Sequence, residues 1–197
     1  MEKKFNEEDS MLVIRQMIDQ AKGKLEKGDG KYFVLWGYLV TITCLVHYAS
    51  YKFWTIDNLN YSAFVWGISM TIGAIVSFYF GWKDRKKETV KTYVSSMVSR
   101  IWVGFACSSV LVYVLLMGKY AVFIYPAISL VYAYATFLSA GAFRMKWMYI
   151  SAAICFICVI LFKFVPFAEY PLLMATMLIC GNLIPGHIIN YKARRNV

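Results

Sequence analysis

Charge is scarce in this sequence. Of its 197 residues, 16% are Asp, Glu, Lys or Arg and 60% are hydrophobic, where an ordinary soluble domain carries about 25% and 45–50%. Acids are scarcest, 11 against 21 Lys and Arg, and Asp57, Asp84, Glu88 and Glu169 fall between the long apolar runs rather than inside them. Coupled carriers place a carboxylate or an equivalent relay at membrane depth, so its absence counts against proton- or sodium-coupled transport. Two histidines, His47 and His187, are too few to build a metal site by themselves. No HExxH, Walker loop or GxSxG occurs, which removes the readings those motifs carry. The sequence predicts no catalytic residue, no metal and no cofactor.

Two further absences narrow the class. Residues 1–31 are mixed-charge throughout, without the apolar core of a secretory signal, so the first apolar run is expected to insert as a permanent helix. The five cysteines (Cys44, Cys107, Cys155, Cys158, Cys180) all lie in apolar runs. An odd count at membrane depth is no disulfide framework. The Cys155–Cys158 CxxC lacks the electropositive setting that thiolate chemistry requires, and both are expected to be small core- or lipid-facing residues.

What is present is six apolar runs, at 32–51, 62–82, 100–117, 121–142, 147–165 and 170–191. Each is near the roughly 20 residues that cross a bilayer. The expected fold is all-α: a polytopic membrane protein of six transmembrane helices with an N-terminal cytoplasmic amphipathic helix, divided into 1–31, the bundle 32–191 and a basic tail 192–197.

The net charge of +10 is distributed as orientation in a bilayer requires, not as a continuous face for phosphates, so no nucleic-acid partner is expected. The N-terminus, the second and fourth connections and the tail carry seventeen Lys and Arg. The opposite side carries Lys52, Lys119 and Lys163. Basic residues are retained on the cytoplasmic side, which puts both termini there and demands an even number of spans. Tyr32, Trp36, Trp82, Trp102, Trp147 and Tyr191 mark the inner headgroup level, and Tyr51, Trp54, Tyr61, Tyr120 and Tyr170 the outer.

Helices meet in lipid where small side chains let backbones approach. Ser69, Gly73, Ser77 and Gly81 recur at steps of four in the second run, Gly104 and Ser108 in the third, and Thr136 and Ala140 in the fourth. These stripes are expected to be packing seams. They serve contacts within one chain and between copies equally, which leaves a homo-oligomer open.

Residues 10–27 read as a soluble-type helix, capped by Asp9 or Ser10 and ended by Gly28 and Gly30. Met11, Ile14, Ile18, Ala21 and Leu25 share one face. Its neutral polar face fits the inner leaflet poorly. Docking on the cytoplasmic ends of the spans or on a protein partner fits better, with Met11, Ile14, Ile18 and Leu25 as contact residues.

The densest polar group lies in the last run. Pro185 has no N–H, so the carbonyl of Gly181 loses its helical donor. Asn182, Gly186 and Asn190 share a face at steps of four, with His187 alongside. Asn182, Pro185, Gly186, His187 and Asn190 are therefore the candidates for a ligand site or gate, set against a plain packed kink. His47, one turn from the outer end of the first run, is expected to be an interfacial histidine bonded to a neighbour.

Met17–Lys22, Tyr32–Val40 with its Trp36–Gly37 pair, and Ile184–His187 resemble a family of small bacterial six-helix integral membrane proteins. The resemblance runs the length of the chain. It implies a bacterial inner-membrane protein without assigned activity, encoded beside a winged-helix regulator, and it supplies no catalytic residue. The expected role is regulatory or sensing, through the bilayer and a cytoplasmic or membrane partner. The alternative is a channel or facilitator for a small neutral solute, using the kinked sixth helix.

Overall fold

A computed structural model describes residues 11–12, 30–53, 59–85 and 93–195. Among them there is no strand. The elements are α1 (Lys31–Phe53), α2 (Leu59–Arg85), α3 (Tyr93–Leu116), α4 (Ile124–Phe143, entered by a 3-10 turn) and α5 (Lys146–Leu161). The last helix is composite: α6 (Tyr170–Leu178), a π-helical turn (Ile179–Leu183) and α7 (Ile184–Arg195).

Five stretches are long and apolar enough to cross a membrane: Lys31–Phe53, Tyr61–Asp84, Val94–Leu116, Ala121–Phe143 and Phe167–Lys192. The expected run 147–165 is shorter as a helix, because α5 stops after 16 residues at Leu161. Lys163 and Phe164 then donate back to Ile160 and Leu161 in tight turns, and extended Pro166, without an N–H, cannot continue the hydrogen-bond ladder of α5. Sixteen residues rise about 24 Å, short of a ~30 Å hydrocarbon core.

α1, α4, α5 and the last helix form the centre, while α2 packs on α1 and α3 on α4. In the apolar windows of α2 and α3 only 6% of residues are buried, against 44% in α1 and 50% in the last helix. Apolarity does not distinguish inside from outside here: Phe78, Leu115 and Phe164 are exposed, whereas Thr43, Ser50, Thr136, Ser139 and Asn182 are buried. Lipid is as apolar as leucine, so the interior goes to groups that pack closely or need hydrogen-bond partners. Thr43, Thr136 and Ser139 each donate to the carbonyl four residues back, which lets a hydroxyl be buried without a distant acceptor.

Met11 is described and exposed. Ile14, Ile18 and Leu25, with the rest of the expected N-terminal helix, lie outside the described residues, as do Trp54, Lys86, Lys87 and Lys91.

Candidate functional site

α1 and α2 run antiparallel and are joined by polar contacts along their length. Lys31 pairs with Asp84, whose carboxylate also accepts from the Tyr32 hydroxyl at 3.3 Å. Next, Trp36 Nε1 donates to Ser77 Oγ at 3.1 Å. Buried Gly73 lies beneath Trp36 and Leu39, where an added Cβ would stand 2.7 Å from either side chain. Thr43 and Ser69 form a hydroxyl pair at 2.7 Å. At the far end His47 Nε2 lies 2.7 Å from Ser62 Oγ. Ser69, Gly73 and Ser77 thus face α1, and a Cβ on Gly81 would stand 3.8 Å from the Tyr32 hydroxyl.

His47 is 3% exposed and ties three helices together. Its Nδ1 lies 2.6 Å from the Tyr125 hydroxyl of α4 and 3.2 Å from Trp66 Nε1 of α2. An indole N–H only donates, so Nδ1 is an acceptor and the proton sits on Nε2, facing Ser62. The Tyr51 ring lies 4.8 Å from the imidazole. A serine beside a histidine invites comparison with a nucleophile and its base. Here the nitrogen facing the hydroxyl already carries the proton, the reverse of what general-base activation requires.

The five candidates of the last helix divide between two surfaces. Asn182, 2% exposed, accepts from the Tyr132 hydroxyl at 3.0 Å. Its Cβ lies 3.2 Å from where a side chain on Gly37 would begin. Gly186 sits on Phe33 and Val34, with 2.9 Å left for a Cβ, and Asn190 abuts Gly30. These three residues with Gly30 and Gly37 form the α1–last-helix seam. Pro185 is fully buried. His187 instead points to an exposed side, its Nε2 3.2 Å from the Tyr38 hydroxyl. The disturbance expected at Gly181 takes the form of the π-helical turn Ile179–Leu183, whose wider ring accommodates the proline ahead of it. Gly181 itself lies against the Tyr132 hydroxyl.

Of the seam expected at Gly104 and Ser108, Gly104 has no neighbour within the described chain. Nothing lies within 4 Å of a Cβ placed on Gly104. α3 is held by aromatic rings instead: Trp102 packs on Phe33 at 5.3 Å and Tyr132 at 5.9 Å, and Phe105 on Tyr132 at 5.9 Å. Large rings fill the gap between helix axes, and Gly104 is left on an exposed face.

Cys44, Cys155 and Cys158 are buried and free, and Cys155 points at the Met177 carbonyl at 3.7 Å. No group of three His, Cys, Asp or Glu among the described residues suits a metal. Sequence reasoning missed Trp36, Thr43, Tyr125 and Tyr132 as contact residues. A usable signal existed for the two on α1, since Trp36 and Thr43 share one face with His47 at steps of seven and four. None of the family models, curated proteins and solved structures compared with the chain matches it.

Proposed function

We propose that this chain is a multi-pass protein of the bacterial cytoplasmic membrane, spanning it six times with both termini inside, and that its role is regulatory or sensing rather than enzymatic. The observation that carries this reading is the polar ladder between α1 and α2. Interhelical hydrogen bonds in membranes contribute about 0.6 kcal/mol each on average and ~1.7 at most. A peripheral helix held by a handful of them is within reach of the few kcal/mol that differential binding of a partner supplies. α1 follows directly on the N-terminal segment, and α2 leads directly into the basic connection around 83–91. A partner gripping the stripe of Met11, Ile14, Ile18 and Leu25 therefore acts on the two helices that the ladder joins. The Ser62–His47 tautomer supports the non-enzymatic half of the proposal. The compartment rests on the resemblance to the small bacterial six-helix family and on the three-to-seventeen charge asymmetry.

The test is affinity capture at native expression in mild detergent, full-length beside a version lacking residues 1–28. A stoichiometric partner lost on truncation, with membrane insertion retained, is the expected result. Identical captures from both forms would sink the proposal. The facilitator alternative draws only on the π-helical turn. It predicts that Asn182→Leu or His187→Leu blocks solute flux in liposomes, and unchanged flux removes it.

A further inference from the structure

At the end of the bundle where α4 turns into α5, the turn carries two exposed cations, Arg144 and Lys146, and α7 brings a third, Lys192, against Trp147. Arg144 caps α4 in the left-handed region, at φ 52°, and is exposed. Among the described residues it is the one non-glycine with positive φ. Glycine or asparagine ordinarily takes this position, because a Cβ is disfavoured there. The turn is nevertheless fixed: Arg144 N–H donates to the Gly141 carbonyl, Met145 N–H donates to that of Ala140, and the Met145 side chain is buried in a cluster with Val98, Ala140, Met148 and Ile189. Lys146 follows, exposed. From α7, Lys192 reaches over the Trp147 ring, its Nζ 5.5 Å from the centroid. Among the described residues the one acid at this end, Asp84, is taken by Lys31; Glu169 lies at the other end, in the turn before α6.

We propose that Arg144, Lys146 and Lys192, with Trp147 beside them, bind the phosphate of an anionic phospholipid. A guanidinium and an ammonium group on a buttressed turn, with a second ammonium group from α7, supply charge-assisted donors to a phosphodiester. An indole at the same level is suited to the boundary between headgroup and acyl chain. The strained backbone at Arg144 keeps an arginine where glycine would fit better, and strain of this kind persists where a site uses it. The site needs only that the helices cross a bilayer, and stands or falls independently of the regulatory role.

The test is titration of the full-length protein in neutral detergent with phosphatidylglycerol, read as bound lipid by native mass spectrometry. Phosphatidylcholine of the same chains and inorganic phosphate are the comparison arms. Phosphatidylglycerol should bind in preference to both. Arg144→Gly and Lys192→Gln should each weaken it roughly tenfold. Arg144→Gly suits the left-handed backbone, so it removes the guanidinium without endangering the fold, and a melting curve confirms this. Equal uptake of phosphatidylcholine, full competition by inorganic phosphate at matched concentration, or undiminished binding by both variants overturns the site.

Discussion

Tyr132 of α4 donates to Asn182 in the π-helical turn at 3.0 Å, with both side chains buried. The same hydroxyl lies against Gly181, so one tyrosine both satisfies the amide and fills the space that the widened turn leaves. Tyr132→Phe strips buried Asn182 of that donor and should lower stability by about 1 kcal/mol, within the range for membrane hydrogen bonds. Gly181→Ala drives a methyl into the hydroxyl and should cost more. Thermal melts in one detergent compare the two, and an unchanged melting temperature in both refutes this account of the turn.

Glycines in this bundle fall into two classes. Gly186→Ala would press on Phe33 and on the Val34 backbone, and should destabilise by roughly 1–3 kcal/mol, as overpacking does. Gly67→Ala and Gly104→Ala meet nothing within 4 Å. They should be neutral or stabilising by up to ~1 kcal/mol through helix propensity alone. A loss of stability at Gly104 would restore the third-helix seam that the structure places in the open.

The ladder can be tested rung by rung. A double-mutant cycle on Trp36→Phe and Ser77→Ala should return a coupling near 0.6 kcal/mol. Additive effects of the two substitutions would mean that the bond contributes nothing.

His47→Ala removes the contacts to Ser62, Trp66 and Tyr125 together. Hydrogen exchange should then rise in α2 while α4 and α5 keep their protection. Uniform loss of protection throughout would make His47 a global core residue rather than the fastening of one helix.

The six-span count rests on α5, whose 16 residues are the shortest of the set. Cysteines introduced singly at Lys146 and Lys163, in a version without native cysteines, should label from opposite sides of the membrane. Labelling from the same side reduces the count to five.

Composition and the spacing of apolar runs determined the helical class and, within a few residues, most of the helix bounds, because backbone groups in lipid must be satisfied within their own helix wherever that helix packs. The same reasoning reached the stripe of Ser69, Gly73 and Ser77, since small residues at steps of four necessarily form one flat face. It did not separate Gly104, which has no neighbour within the described chain, from Gly73, nor His187 from Asn182 and Asn190, with which it shares a stretch of sequence but not a surface. Only the tertiary structure decided which of two equal stripes has a neighbour, which tyrosine reaches Asn182, and that Trp36, Thr43 and His47 each find a polar partner on α2. Apolar runs of this kind are alike on every side. Contacts such as that between Tyr38 and His187, 149 positions apart, depend on which helices become neighbours, and helix-by-helix periodicity carries no information about that choice.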